Sequence, residues 1–145
     1  MKKTNKILLI IQRSNGDVFL SLTLIYRLFE YYESPQIDLL INDDTLAVAE
    51  LFPHINKILK FSYKSKKTNR FKQEKNIIKN IFRNYDLSIN LTASDRSVIY
   101  ALLAGRSSIS VVEKDNKKSW WKKKFLTRYY YYSSDQNILV QNLTP

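Results

Sequence analysis

Two short polar segments of this chain carry residues that could do chemistry. The first is Arg13, Ser14, Asn15, Gly16 and Asp17, which follows the run Lys6–Ile11 after Gln12. The second is Thr92, Ala93, Ser94, Asp95 and Arg96, which follows an alternating run at 85–91. Asp17 stands where a helical pattern begins. A carboxylate there can cap the helix, worth about 1 kcal/mol, or act as a general base in a crevice. The pattern alone favours the cap. Gly16 is one of only two glycines and allows a sharp turn or the close approach of a ligand. Thr92, Ser94 and Arg96 can bind hydroxyls or phosphate beside a helix N-terminus. They can equally be capping residues, with Arg96 on the surface.

Such loops need strands to carry them. Residues 7–11 form a continuous apolar run, as expected for a strand buried on both faces. From 18 to 32, Leu22, Ile25, Leu28, Phe29 and Tyr32 recur at helical spacing, and Pro35 stops the pattern. A second apolar strand is expected at 37–41 and a short helix at 46–51. A third strand is expected at 57–61, then a basic helix striped by Ile77, Ile78, Ile81 and Phe82. The fourth strand, 85–91, leads into a helix through Val98, Ile99, Leu102 and Leu103 that Gly105 ends as a C-cap. A fifth strand is expected at 108–112. Five strands alternating with helices imply a three-layer α/β/α, Rossmann-like domain with a parallel sheet. In such a sheet, ligands bind beyond the carboxyl ends of the strands, where both loops would lie. Residues 1–113 are expected to form this domain. Residues 114–134 break the pattern and read as an irregular basic aromatic segment outside the sheet, and 138–143 as the opening of a last helix.

The net charge is +11 over 145 residues and is unevenly placed. Residues 57–83 hold 10 basic and 1 acidic side chains, and residues 114–145 hold 7 and 2. Patches of this kind suit an anionic partner or a solvated helix face. The chain has no cysteine and a single histidine, His54, so thiolate and multi-histidine metal sites are excluded. Neither a G-x-G-x-x-G fingerprint nor a Walker A sequence follows the first strand. The apolar run after Lys2, Lys3 and Lys6 is too short for a signal peptide. No run approaches the ~18 apolar residues of a membrane span. Trp120, Trp121 and four tyrosines at 129–132 are interleaved with lysines, a mixture that suits an anionic membrane interface or single-stranded nucleic acid.

The ordered series of motifs resembles the bacterial heptosyltransferases, glycosyltransferase family 9. The likeness runs through Lys6–Ile11, Arg13 to Val18, residues 37–42, Phe52 to Ile58, residues 85–91, and Arg96-Ser97 leading to Gly105. In the loop after the fourth strand the family shows Asp, then His or Gln, then Gly; this chain has Asn90, Thr92 and Ala93. The resemblance implies the N-terminal, acceptor-side half of a two-domain GT-B enzyme of lipopolysaccharide core synthesis. It implies Asp17 as catalytic base, with Ser14, Asn15, Gly16, Thr92, Ser94 and Arg96 binding the acceptor. It implies no metal and no cofactor, with a nucleotide-sugar donor, ADP-heptose, as co-substrate. The implied acceptor is a phosphorylated, lipid-linked saccharide, met in the cytoplasm at the inner face of the inner membrane. Lys117, Lys118, Trp120, Trp121, Lys122, Lys123 and Lys124 would then touch that anionic surface. With Pro145 as its last residue, the chain is expected to lack the C-terminal donor domain and to be inactive by itself. The alternative is a non-catalytic basic α/β module that binds nucleic acid or anionic surfaces, of which nucleic acid is the less expected partner.

Overall fold

The first strand, β1 (Lys6–Ile11), sits at the centre of the molecule, and its five apolar residues are wholly buried. The computed structural model describes residues 6–12, 21–62, 67–92, 94–112 and 116–131. Around β1 stand β2 (Gln36–Asn42), β3 (Ile55–Phe61), β4 (Tyr85–Asn90), β5 (Gly105–Val112) and β6 (Arg128–Tyr131). Every pair is parallel, in the order β3-β2-β1-β4-β5-β6. The chain builds leftward from β1, then returns to start again at β4 on the other side. The strand order therefore reverses between β1 and β4, the position beyond whose carboxyl ends open α/β sheets bind their ligands.

Five helices connect the described strands: α1 (Leu22–Tyr31), α2 (Leu46–Ala49), α3 (Lys67–Ile81), α4 (Asp95–Ala104) and α5 (Asn116–Phe125). Alternate residues of a strand face opposite ways, so each central strand feeds two cores. One core unites Ile7, Leu9 and Ile11 with Ile37, Leu39, Leu87 and Ile89 beneath Leu24, Ile25 and Leu28 of α1 and Ala49 of α2. The other unites Leu8, Ile10 and Leu40 with Ile77 and Ile81 of α3 and Tyr100, Ala101 and Ala104 of α4. Right-handed crossovers put α5 on the same side as α4, where Trp121 and Leu126 pack against Val98 and Leu102. The result is the expected three-layer α/β/α fold with a parallel sheet.

Three elements depart from expectation. The described residues of the basic aromatic segment, 116–131, are not an irregular appendage: α5 and β6 form a further strand connection, and β6 pairs with β5 from Ile109↔Arg128 to Val112↔Tyr131. A clip fixes the junction, in which Thr127 N donates to Ser108 O at 2.9 Å and Ser108 N to Thr127 Oγ1 at 3.0 Å. The sheet thus continues past residue 113. The opening of a last helix at 138–143 lies outside the described residues. Gly105 is not a left-handed cap, since its backbone is extended at φ −101 and ψ 147. It is glycine because β5 starts hard against β4. A Cβ there would lie 2.5 Å from Ser107 O and 2.7 Å from Ser88 N.

At the amino-terminal edge of the sheet a buried strut crosses over β1. Tyr85 Oη donates to Asp38 Oδ2 at 2.6 Å, and Asn56 Nδ2 donates to Asp38 Oδ1 at 3.1 Å. Burial, and then the bond to Asp38 and its negative charge, push the Tyr85 phenol well above its ordinary pKa.

Candidate functional site

The crevice at the switch point is lined from β1, β4 and the first turn of α4. Pairing of β1 with β4 persists beyond the strands. Leu91 N donates to Ile10 O at 2.9 Å, and Gln12 N donates to Thr92 Oγ1 at 2.9 Å. Asn90 then folds the loop back on itself. Its Oδ1 accepts from Thr92 N at 3.0 Å, while its Nδ2 donates to Thr92 O at 2.6 Å and to Ser110 Oγ at 2.9 Å. Ser94 caps α4 with extended backbone, its Oγ accepting from Ser97 N at 3.3 Å. The Ser97 hydroxyl, wholly buried, is 2.8 Å from Ser94 Oγ and donates to Gln12 Oε1 at 2.7 Å. The helix start is thereby tied to the end of the central strand.

One atom in this network is left over. Gln12 is only 7% exposed, and its Nε2 is buried with no hydrogen-bond partner. Leaving a buried amide donor unpaired costs about 1–3 kcal/mol. Such an atom in a native fold calls for an explanation, and a ligand-facing role is one.

The described charged side chains at the start of α4 are already paired. Arg96 forms an ion pair with Glu74 of α3 and lies over the Phe61 ring, 4.6 Å from its centroid. Lys122 of α5 is 0% exposed and meets Asp95 at the start of α4, Nζ to Oδ1 2.8 Å. What the described crevice offers a ligand is therefore a set of neutral hydroxyl and amide groups. Those suit hydroxyls better than phosphate, which would need a spare cation. Among the described residues no three His, Cys, Asp or Glu side chains stand together in a way that could hold a metal ion.

The residues singled out in the sequence fare differently. Ser14, Asn15, Gly16 and Asp17 lie outside the described residues. Thr92, Ser94 and Arg96 do stand together at the crevice, each with a structural duty: lacing β1 to β4, capping α4, and pairing with Glu74. Lys122, expected to touch an anionic surface, is instead buried against α4, because α5 packs as a helix with one side inward. Trp121 is half-buried on that inward side, whereas Trp120 is 62% exposed and Lys124 is exposed. The side chains of Lys117, Lys118 and Lys123 lie outside the described residues. Sequence reasoning passed over Gln12 and Ser97. The signal for Gln12 was available: a polar side chain ending an apolar strand, on the same side as Asn90.

A six-stranded parallel sheet whose order reverses between β1 and β4 is a doubly wound α/β fold. Solved glycosyltransferases share this fold. A glycosyl transferase family 9 protein from Veillonella parvula matches 97% of this chain, with 41% of its own length, TM-score 0.75 and 17% identity. The heptosyltransferase WaaC of E. coli, solved with ADP-2-deoxy-2-fluoro heptose, matches 94% of the chain with 45% of its own, TM-score 0.74 and 13% identity. The ADP-heptose lps heptosyltransferase II of E. coli matches 94% with 40% of its own, TM-score 0.67 and 17% identity. The chain thus spans less than half the length of the structures it matches. No protein-family model and no curated protein matches the sequence. No helix among the described residues is long and apolar enough to cross a membrane.

Proposed function

We propose that the chain is the acceptor-side domain of an inverting glycosyltransferase of the heptosyltransferase kind. The observation that carries this reading is the cluster of neutral hydroxyl and amide groups at the switch point between β1 and β4, in a fold shared with family 9 structures. A phosphorylated, lipid-linked saccharide acceptor would place one hydroxyl in the crevice near the segment that follows Gln12. A second domain facing the crevice would hold the nucleotide-sugar donor, ADP-heptose in this reading. Asp17, five residues beyond Gln12 in the sequence, would take the proton of the attacking hydroxyl. The acceptor oxygen bonds to the anomeric carbon as the bond to the nucleotide diphosphate breaks, with inversion, and the diphosphate leaves with the electron pair. Ser14, Asn15 and Gly16 would shape the acceptor side of that turn.

The test is Asp17→Asn in the presence of the donor domain, read by nucleotide release. Loss of the base should lower turnover by about 10²–10⁴-fold, while the melting temperature stays nearly constant, because asparagine caps as well as aspartate. Turnover that survives this substitution rules out Asp17 as the base, and a melting temperature lowered by Asp17→Ala would then make it a helix cap.

A further inference from the structure

Gln12 is not alone in leaving a buried polar atom without a partner. Asn42 closes β2, and its Oδ1 is likewise buried and unpaired. The two residues are neighbours by register. β1 and β2 pair in parallel up to Ile11↔Ile41, and Gln12 and Asn42 each stand one residue beyond. Alternation puts both on the side of Ile10 and Leu40, which belong to the core beneath α3 and α4. Phe61, the β3 residue opposite Asn42, is part of the same core, with the Arg96 guanidinium over its ring. Asn42 also precedes the 3-10 turn Asp43–Thr45, in extended backbone at φ −77 and ψ 147, where asparagine ordinarily caps. Its side chain makes no capping bond there. Its main-chain oxygen is used instead, accepting from Thr45 Oγ1 at 2.8 Å. Neither stranded atom serves the fold, and although the two residues stand level on adjacent strands, these atoms do not bond each other.

We propose that Gln12 and Asn42 form a subsite for a single hydroxyl of a neutral saccharide, in the gap between β1 and β2 rather than between β1 and β4. Gln12 Nε2 donates and Asn42 Oδ1 accepts, so the group between them must accept one hydrogen bond and donate another. A hydroxyl does both through one oxygen. Two atoms bonded to one oxygen at a tetrahedral angle stand roughly 4.6 Å apart, and adjacent strands run about 4.8 Å apart. Phosphate and carboxylate only accept, which would set their charge against Oδ1. An ammonium group only donates, which would leave Nε2 stranded. Turning the Gln12 amide over preserves the match, because Asn42 then offers Nδ2 to the same oxygen. Asn42 is half-buried, so the pair lies within reach of the surface. The inference rests on the glycosyltransferase reading only for the ligand being a saccharide.

Titration of the isotope-labelled whole chain with glucose, its monodeoxy analogues and inorganic phosphate tests it, read from the side-chain amide signals of Gln12 and Asn42. Glucose should shift both signals together, and phosphate neither. One monodeoxy analogue, the same for both residues, should leave both signals in place and bind about five- to tenfold more weakly than glucose. Gln12→Leu and Asn42→Leu should each weaken glucose by about that factor, and neither should change the affinity of that analogue. Should Asn42→Leu fail to fold, the analogue series on the native chain decides alone. Amide signals that answer to two different analogues would mean two separate contacts, and overturn the proposal. So would signals that phosphate shifts, or signals indifferent to glucose with both amides in contact with slowly exchanging water, which would make the occupant an ordered water only. Turnover in the Asp17→Asn experiment keeps the two readings apart. A failed subsite with Asp17-dependent turnover leaves the glycosyltransferase reading standing, and a paired glucose response with turnover indifferent to Asp17 leaves the subsite standing.

Discussion

The two cores on either side of the sheet are built on different principles. The core beneath α1 and α2 is dry, made of Ile, Leu, Ala and Phe side chains from Ile7 to Leu91. The core beneath α3, α4 and α5 is threaded with polar groups. Asp38, Ser88, Asn90, Ser108 and Ser110 all face that side, and all are buried. Ser88 Oγ donates to Ala101 O at 2.6 Å and Ser108 Oγ does so at 3.0 Å, hanging α4 on the sheet by one mid-helix carbonyl. The dry side contributes apolar burial, about 25 cal/mol per Å², and asks only for volume and pattern. The polar side contributes little net energy per bond, yet each bond admits only one register. The crevice belongs to the polar side: Gln12, Asn90 and Ser97 are part of the same network. Bulk stability and site geometry are thus assigned to opposite faces of one sheet.

Substitution at Gly105 should break the polar side most severely. An alanine Cβ would meet backbone atoms of both Ser107 and Ser88, and neither can swing away as a side-chain tip could. We expect Gly105→Ala to cost about 3 kcal/mol or more, the upper end of overpacking. On the dry side, Leu9→Ile should cost less than about 1.5 kcal/mol, because shape changes at constant volume are absorbed by repacking. Denaturant midpoints of the two variants decide the matter. Equal costs would mean that the faces do not differ in tolerance.

The Tyr85–Asp38 strut gives a smaller effect with a pH signature. Tyr85→Phe removes a donor from a buried carboxylate, and should cost about 1–3 kcal/mol at neutral pH. In the native protein the Tyr85 phenol holds its proton to higher pH than in the unfolded chain. Its contribution is therefore complete below the unfolded pKa near 10 and declines as pH rises above it, with a slope of at most about 1.4 kcal/mol per pH unit. Phenylalanine has no proton to lose, so the gap between native and Tyr85→Phe stabilities should narrow from pH 9 to pH 11. A gap that stays constant over that range means the phenol's titration is not linked to folding.

How much of this was legible in the sequence follows from the same asymmetry. The strands at 7–11, 37–41 and 85–91 were readable because burial on both faces leaves unbroken apolar runs or strict alternation. The parallel sheet, with both polar loops beyond the carboxyl ends of its strands, followed from their alternation with helices. α5 and β6 were not readable. α5 offers Trp121 as its inward apolar residue and spends another inward position on Lys122, so no helical stripe forms. Gly105 was seen, but its reason was not, since a helix end and a crowded strand start both select glycine. Arg96 was singled out as a candidate because arginine after a strand suggests anions. Its partner Glu74 lies twenty-two residues earlier on α3, a pairing only the fold creates.

Gln12 gives the smallest expected change in stability and the sharpest test of what the polar side is for. Its amide has two polar ends, and one is held by Ser97. Turning the amide over would pair Nε2 with the hydroxyl and strand Oε1 instead; either way one end is buried without a protein partner. If the fold alone had shaped this position, an apolar residue would serve better, because it leaves nothing unpaired. Gln12→Leu should therefore leave stability within about 0.5 kcal/mol of the native value or raise it. Ser97 keeps its bond to Ser94, so α4 stays capped. If the stranded end is kept for a ligand hydroxyl, saccharide binding should weaken by about five- to tenfold, the worth of one neutral hydrogen bond. Titration of both chains with an acceptor saccharide, followed by calorimetry and by the Gln12 side-chain amide signals in the native protein, measures this. A variant that loses more than about 2 kcal/mol and binds saccharide as before would make Gln12 a structural member of the core. The opposite result, a stable chain that no longer holds the sugar, identifies the Gln12 amide as a polar group that the fold leaves unpaired for its ligand.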